Sequence, residues 1–234
     1  MCQVRLTNPA DFCIVNKINV KMKVVIFGAT GFSGKAILKE TLSQQHQVTV
    51  LVRNKSAVLI QDKNLHIVEG DVLDRHTVAE VLKNSDAVIQ CLGVGGKGNA
   101  KPTTFISDAI KIIVEEMEKQ QIKRLIAMSN VGAGNSVSFQ HWIFTKIILP
   151  YFMKWLKVLI DDKNRMEPII MNSQLDWTIV RCPNIVDKIA KKTCHATLDG
   201  KGLKLSITLD DMAKFMVKQI ADSTFSKQAP SISN

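Results

Sequence analysis

The chain has 234 residues, 46% of them hydrophobic, with 31 lysines and arginines against 21 acids, a formal net charge of +10. That length suits one large domain or at most two, and the sequence holds no internal repeat and no low-complexity block. Five cysteines (Cys2, Cys13, Cys91, Cys182 and Cys194), an odd number without C-x-x-C spacing, argue against a disulfide framework and against zinc.

The same cysteine usage points to a reducing compartment, with the cytoplasm as the expectation. Net positive charge fits attraction for a polyanion or a phosphorylated cofactor, and equally a solvated basic surface. No arginine-rich or aromatic-interleaved patch stands out, so nucleic-acid binding is not expected. Residues 1–21 carry Arg5, Lys17 and Lys21 but no long apolar run, and read as an extension rather than a secretory signal. A domain of 22–225 follows, then a tail of 226–234.

Lys23 to Phe27 read as a buried strand, almost all β-branched or aromatic. Gly28, Gly31 and Gly34 follow at G-x-x-G-x-x-G spacing, and a helix runs on through Ala36, Ile37, Leu38 and Leu42. A helix start exposes free N–H groups and partial positive charge. Glycines let a pyrophosphate approach that backbone. The position between strand and helix is the context such a motif requires.

Val48 to Val52 make a second strand that ends at Arg53. In dinucleotide folds this strand end faces the adenosine ribose, where a carboxylate selects NAD and an arginine accommodates the 2′-phosphate of NADP. A guanidinium fork matches a phosphate, so Arg53 predicts a preference for NADP(H). His66–Val68 form a short third strand, with Asp71 and Val72 in the turn after it, beside the adenine. Thr77–Leu82 form a helix. Asp86–Leu92 form a fourth strand, ending in Gly93 and a glycine-rich loop. Thr103–Lys119 show helical spacing, Lys123–Met128 form a fifth strand ending at Ser129 and Asn130, and Asp176–Arg181 form a sixth ending at Pro183 and Asn184.

This alternation predicts a single-domain α/β fold, a Rossmann-type doubly wound and mostly parallel sheet. Ligands of such sheets bind beyond the carboxyl ends of the strands. Gly28–Gly34, Arg53, Asp71, Leu92, Gly93, Ser129, Asn130, Pro183 and Asn184 are therefore expected to line one crevice. Residues 137–170 and 184–208 would form its substrate side. The stretch Val137–Ile160 carries six aromatic residues among its lysines, too many charges for a transmembrane helix. A lid, an oligomer surface, an interfacial helix and plain core packing all fit it. Thr208 reads as an N-cap, with Asp210 and Asp211 in the first turn of a last helix.

The strings GATGFSG, VTVLVRN, EGDVLD, DAVIQCLG, LIAMSN and LDWTIVRCPNI, in that order, resemble the atypical short-chain dehydrogenase/reductases with NmrA-like NAD(P)-binding domains. PTT at 102–104, DDKNRM at 161–166 and TLDGKG at 197–202 resemble its flavin reductase (biliverdin reductase B-like) branch. The likeness covers about residues 22–220. It implies a Rossmann fold that binds NADPH and passes hydride to a flavin or an open tetrapyrrole. It carries cofactor roles onto Gly28, Thr30, Gly31, Ser33, Arg53, Ser56, Asp71, Val72, Leu92 and Gly93.

The wider short-chain dehydrogenases use Tyr-x-x-x-Lys on one helix. Here Tyr151 is the only tyrosine and Trp155 stands four residues on, so the pair is absent. Flavin reductase-like proteins lack it too, and place a serine and a histidine near the substrate at positions that correspond here to Asn130 and Asn184. Asparagine donates a hydrogen bond but supplies no proton at neutral pH. Ser129, Asn130 and Asn184 are thus expected to orient the acceptor. Lys163, His141 and His195 are the remaining proton-donor candidates, each with a plain alternative: a surface lysine, a lid histidine, a partly exposed strand histidine. Asp161 and Asp162 do not read as a metal site. The rival to a reductase is an NmrA-like sensor that binds NADP(H) without turnover.

Overall fold

A computed structural model describes residues 21–94, 101–140, 147, 149 and 151–234. Ten strands and five α-helices occur among the described residues. The strands are β1 (Lys23–Phe27), β2 (Gln47–Val52), β3 (Leu65–Glu69), β4 (Ala87–Gln90), β5 (Arg124–Asn130), β6 (Asp176–Cys182), β7 (Asn184–Val186), β8 (His195–Thr197), β9 (Ser206–Thr208) and β10 (Ser231–Ser233). The helices are α1 (Phe32–Ser43), α2 (Arg75–Leu82), α3 (Phe105–Lys119), α4 (Lys154–Met171) and α5 (Leu209–Lys218).

Eight strands form one sheet in the order β3-β2-β1-β4-β5-β6-β10-β8. All neighbours are parallel except β10 and β8. The chain winds outward from β1 through β2 to β3, then returns to β4 and winds the other way. The carboxyl ends of β1 and β4 thus mark the switch point where such sheets open a crevice.

Alternation along the strands supplies both faces with apolar side chains. Val25 and Phe27 join α2, α3 and α4 in one core, while Val24 and Ile26 join α1 and α5 in the other. Doubly wound architecture follows from burying both faces of a parallel sheet.

Residues 226–234 are not a tail. Their last strand, β10, covers the edge of β6: Arg181 N donates to Pro230 O at 2.9 Å, and Ser231, Ile232 and Ser233 are fully buried. An uncovered β6 would leave a row of backbone groups unpaired. Thr208 is the N-cap of α5, with Asp210 and Asp211 in its first turn, as the sequence predicts. The Thr208 hydroxyl donates to Asp211 at 2.5 Å instead of capping an amide of α5. The carboxylate of Asp162 caps α3 from outside it, accepting from Ile106 N at 2.8 Å and from the Ser107 hydroxyl at 2.6 Å.

Of the aromatic stretch, His141, Trp142 and Phe144 lie outside the described residues. Tyr151 and Phe152 are 70% and 78% exposed, whereas Ile160 is buried. No helix among the described residues is long and apolar enough to cross a membrane.

Candidate active site

A crevice of about 550 Å³ opens at the carboxyl ends of β1, β2, β3 and β4. Gly28, Thr30, Gly31, Ser33, Arg53, Asp71, Val72, Leu92 and Gly93 line it, as the sequence predicts. Two other hollows lie at the amino ends of the strands, beside Lys63, Lys83 and Asn84, away from the glycine turn.

The turn after β1 is built for close approach. Gly28 has φ +94°, and a Cβ there would stand 2.7 Å from the Cys91 carbonyl oxygen. A Cβ on Gly34 would meet the Gly28 carbonyl oxygen at 2.0 Å. Gly34 does not line the crevice; it lets α1 pack onto the turn. Gly31 is the N-cap of α1, with no side-chain cap and no acid in the first turn. The first-turn amides therefore have neither an intrahelical carbonyl nor a capping oxygen, and the helix dipole adds positive charge. These features fit the pyrophosphate of a dinucleotide.

Arg53 stands at the end of β2 on the crevice wall. Ser56 does not reach it: both its N–H and its hydroxyl donate to Asn54 Oδ1, at 2.9 and 2.7 Å. The side chain to which the resemblance gave a cofactor role is thus spent on its own short 3-10 turn. Pro183, Ser129, Asn130 and Asn184 are also absent from the lining. Ser129 is buried and donates to Glu167 Oε1 at 2.7 Å, which points its hydroxyl into the protein. Asn130 is half-buried at the end of β5, and Asn184 is exposed in the small β7–β9 sheet.

Phe32, inside the expected Gly28–Gly34 stretch, lines the crevice and is 56% exposed. Several other lining residues were not singled out from the sequence, among them Val94, Phe105 and Met128, which add apolar and aromatic surface.

Lys163 is not a surface lysine. It is 1% exposed, and its ammonium donates to Met128 O at 2.8 Å and Leu92 O at 3.2 Å. Burial pushes it down to about 8. The residue four before it is Leu159, where a tyrosine of a Tyr-x-x-x-Lys pair would stand. The spacing was legible in hindsight, since Ile160, Lys163, Glu167 and Ile170 form one buried stripe of α4. His195 is exposed, with its ring Nε2 2.8 Å from Lys201 O. No His/Cys/Asp/Glu cluster among the described residues could hold a metal.

Comparison with known proteins agrees with this geometry. The NAD(P)H-binding family model matches residues 28–223. The bifunctional pinoresinol-lariciresinol reductase of Forsythia intermedia is 33% identical, over 86% of this chain and 67% of its own. The photosystem II assembly factor Ycf39 of Synechocystis is 24% identical over 89% of this chain, which spans 62% of that relative's length. Among solved structures, the oxidoreductase ylbE of Lactococcus lactis shares the fold at a TM-score of 0.76 and 22% identity, covering 91% of each chain. ChuY, described as an anaerobillin reductase from Escherichia coli O157:H7, shares it at 0.70 and 20%, covering 90% of this chain and 96% of its own. The chain belongs to the NAD(P)H-binding family, and its fold is Rossmann-like.

Proposed function

We propose that this protein is an NADPH-dependent reductase whose acceptor is a planar conjugated molecule, a flavin or a tetrapyrrole. The observation that carries the reading is the makeup of the crevice. The lining combines Arg53 and the uncapped amides at the start of α1, which suit phosphates, with Phe32, Val94, Phe105 and Met128, which suit flat apolar rings.

The chemistry that a nicotinamide cofactor supplies is a hydride, and its ring becomes cationic as the hydride leaves. What this chain supplies is binding and orientation. Gly28 and Gly31 leave room at the turn, the amides of α1 answer the pyrophosphate, and Arg53 answers a 2′-phosphate. Among the described donor candidates, Leu159 occupies the tyrosine position, Ser129 is bonded to Glu167, and the Lys163 ammonium is held by the Met128 and Leu92 carbonyls. That arrangement favours an acceptor which takes its proton from water, as a reduced flavin does. Carbonyl reduction with a positioned tyrosine is disfavoured. The reductases among its relatives support the general activity.

The assay is NADPH with FMN, and then with biliverdin, followed at the reduced-nicotinamide absorbance against a protein-free control. Protein-dependent loss with either acceptor is the expected result. Binding of NADPH without loss to any planar acceptor would move the reading to a cofactor sensor, which the withdrawal of Ser129 and Asn184 from the crevice would then explain.

A further inference from the structure

Lys163 presents a buried cation that the proposed reaction leaves unused. Its ammonium touches two backbone carbonyls and, at 3.7 Å, the sulfur of Met166. No carboxylate is among these partners. The two acids beside it on α4 are engaged elsewhere: Asp162 with the start of α3, and Glu167 with Arg181 and Ser129. The other titratable groups facing it are the thiols of Cys91 on β4 and Cys182 on β6, both pushed up to about 12 by burial and hence neutral. An ammonium this deeply buried is costly to keep, and the nearby charges of Asp162 and Glu167 offset that cost only in part.

Its location is specific. Leu92 and Met128, whose carbonyls hold it, both line the crevice at the ends of β4 and β5. Arg53 and Asp71 line the opposite half, at the ends of β2 and β3. A dinucleotide laid across the switch point with its adenosine on the β2–β3 side has its nicotinamide on the β4–β5 side. The fixed charge thus lies under the half of the crevice where the ring changes charge.

We infer that Lys163 is a positioning residue that biases the site toward reduced cofactor: its buried ammonium, acting through the crevice floor, disfavours the cationic oxidised nicotinamide and leaves the neutral reduced ring unaffected. The bias helps to expel spent cofactor after each hydride transfer. This rests on the nicotinamide-cofactor reading of the crevice. The effect of one unit charge through a protein layer is on the order of tenfold in relative affinity.

The test is the ratio of Kd for NADP+ to Kd for NADPH, by fluorescence titration of NADPH and its displacement by NADP+. Wild type and Lys163→Met are compared at pH 7, and wild type is followed from pH 6.5 to 9.5. The 2′-phosphate is common to both ligands and cancels in the ratio. The expected result is a ratio that drops about tenfold in the variant, and in wild type as the pH rises through about 8. A merely structural lysine would weaken both ligands alike. A ratio unmoved by substitution and by pH overturns the inference; should the variant fail to fold, a flat wild-type pH series overturns it alone. Failure of both ligands to bind at all would instead remove the cofactor reading beneath it.

Discussion

The guanidinium of Arg181 grips the carboxylate of Glu167 with two prongs, Nη2 to Oε2 at 2.7 Å and Nε to Oε1 at 3.1 Å, and both side chains are withdrawn from water. The pair ties β6 to α4. Ser129 of β5 donates to the same carboxylate, and Arg181 also donates to Asn135 Oδ1 at 2.6 Å. Three elements and the loop after β5 therefore meet at one ion pair. Gly134 sits against it with φ +54°, where a Cβ would come within 2.5 Å of both partners.

Breaking one side of a buried pair strands the other charge. Arg181→Met should cost about 3–5 kcal/mol of stability. Adding Glu167→Leu should recover most of that loss, since the orphaned charge is then gone. Urea unfolding midpoints of the two single variants and the double variant check this. A double variant as unstable as the sum of the singles would show that the ion pair itself, and not the stranded charge, holds the three elements.

Arg53 lines the crevice at the end of β2, and the proposed preference for NADPH rests on it. Arg53→Ala should weaken NADPH by roughly 10- to 100-fold, the worth of a charge-assisted contact. NADH should change by no more than about twofold. Titrations of both cofactors with both proteins measure the difference, and equal losses would remove the phosphate-holding role.

Strands β1 to β6 of the main sheet were legible because their signals are local. Runs such as Val24–Phe27, Val48–Val52 and Leu125–Met128 are apolar and β-branched or aliphatic, and a glycine turn announces the first helix. The parallel order followed from alternation with helices. The rest depends on contacts that no local pattern reports. β8 and β10 are three residues each, too short for periodicity; β10 covers the edge of β6, and β8 in turn pairs antiparallel with β10. Lys163 sits in the polar run Asp161-Asp162-Lys163-Asn164-Arg165, which reads as a solvated turn until α4 is laid against the strand ends. Ser129, Asn130 and Asn184 stand at strand ends as expected, but strand position does not dictate side-chain direction. In the fold Ser129 faces Glu167, and Asn184 belongs to the separate β7–β9 sheet.

The buried Lys163 also predicts a pH dependence of stability. Its folded value of about 8 lies below the ordinary 10.5. Below pH 8 the lysine is charged in both states, and the folded protein carries the full cost of burying the charge. Between about 8 and 10.5 the unfolded chain still binds the proton that the folded protein has lost, so this contribution to stability rises with pH. The shift corresponds to about 3 kcal/mol. The thiols of Cys91 and Cys182 act in the opposite sense as pH rises above about 9. Both thiols are present in wild type and in Lys163→Met, so the difference between the two proteins reports the lysine together with the effect of its charge on those thiols. That difference should move in favour of wild type from pH 7.5 to 10, as read by denaturant unfolding; a difference constant with pH would contradict it.

The central claim is that the glycine turn and the start of α1 hold the phosphates of NADPH. Gly31→Asp separates fold from function at that point. The backbone there has φ −73° and ψ 170°, which any residue adopts, and a Cβ would stand 3.3 Å from the Gly28 oxygen, a contact that small shifts relieve. An aspartate at an N-cap stabilises a helix, yet it occupies the amides and brings negative charge to the place where a pyrophosphate must lie. The measurement is a fluorescence titration of NADPH with wild type and Gly31→Asp, with thermal melting of both. The account predicts saturable binding by wild type, binding at least about 100-fold weaker in the variant, and a melting temperature equal or higher. Equal affinity in a folded variant would contradict it.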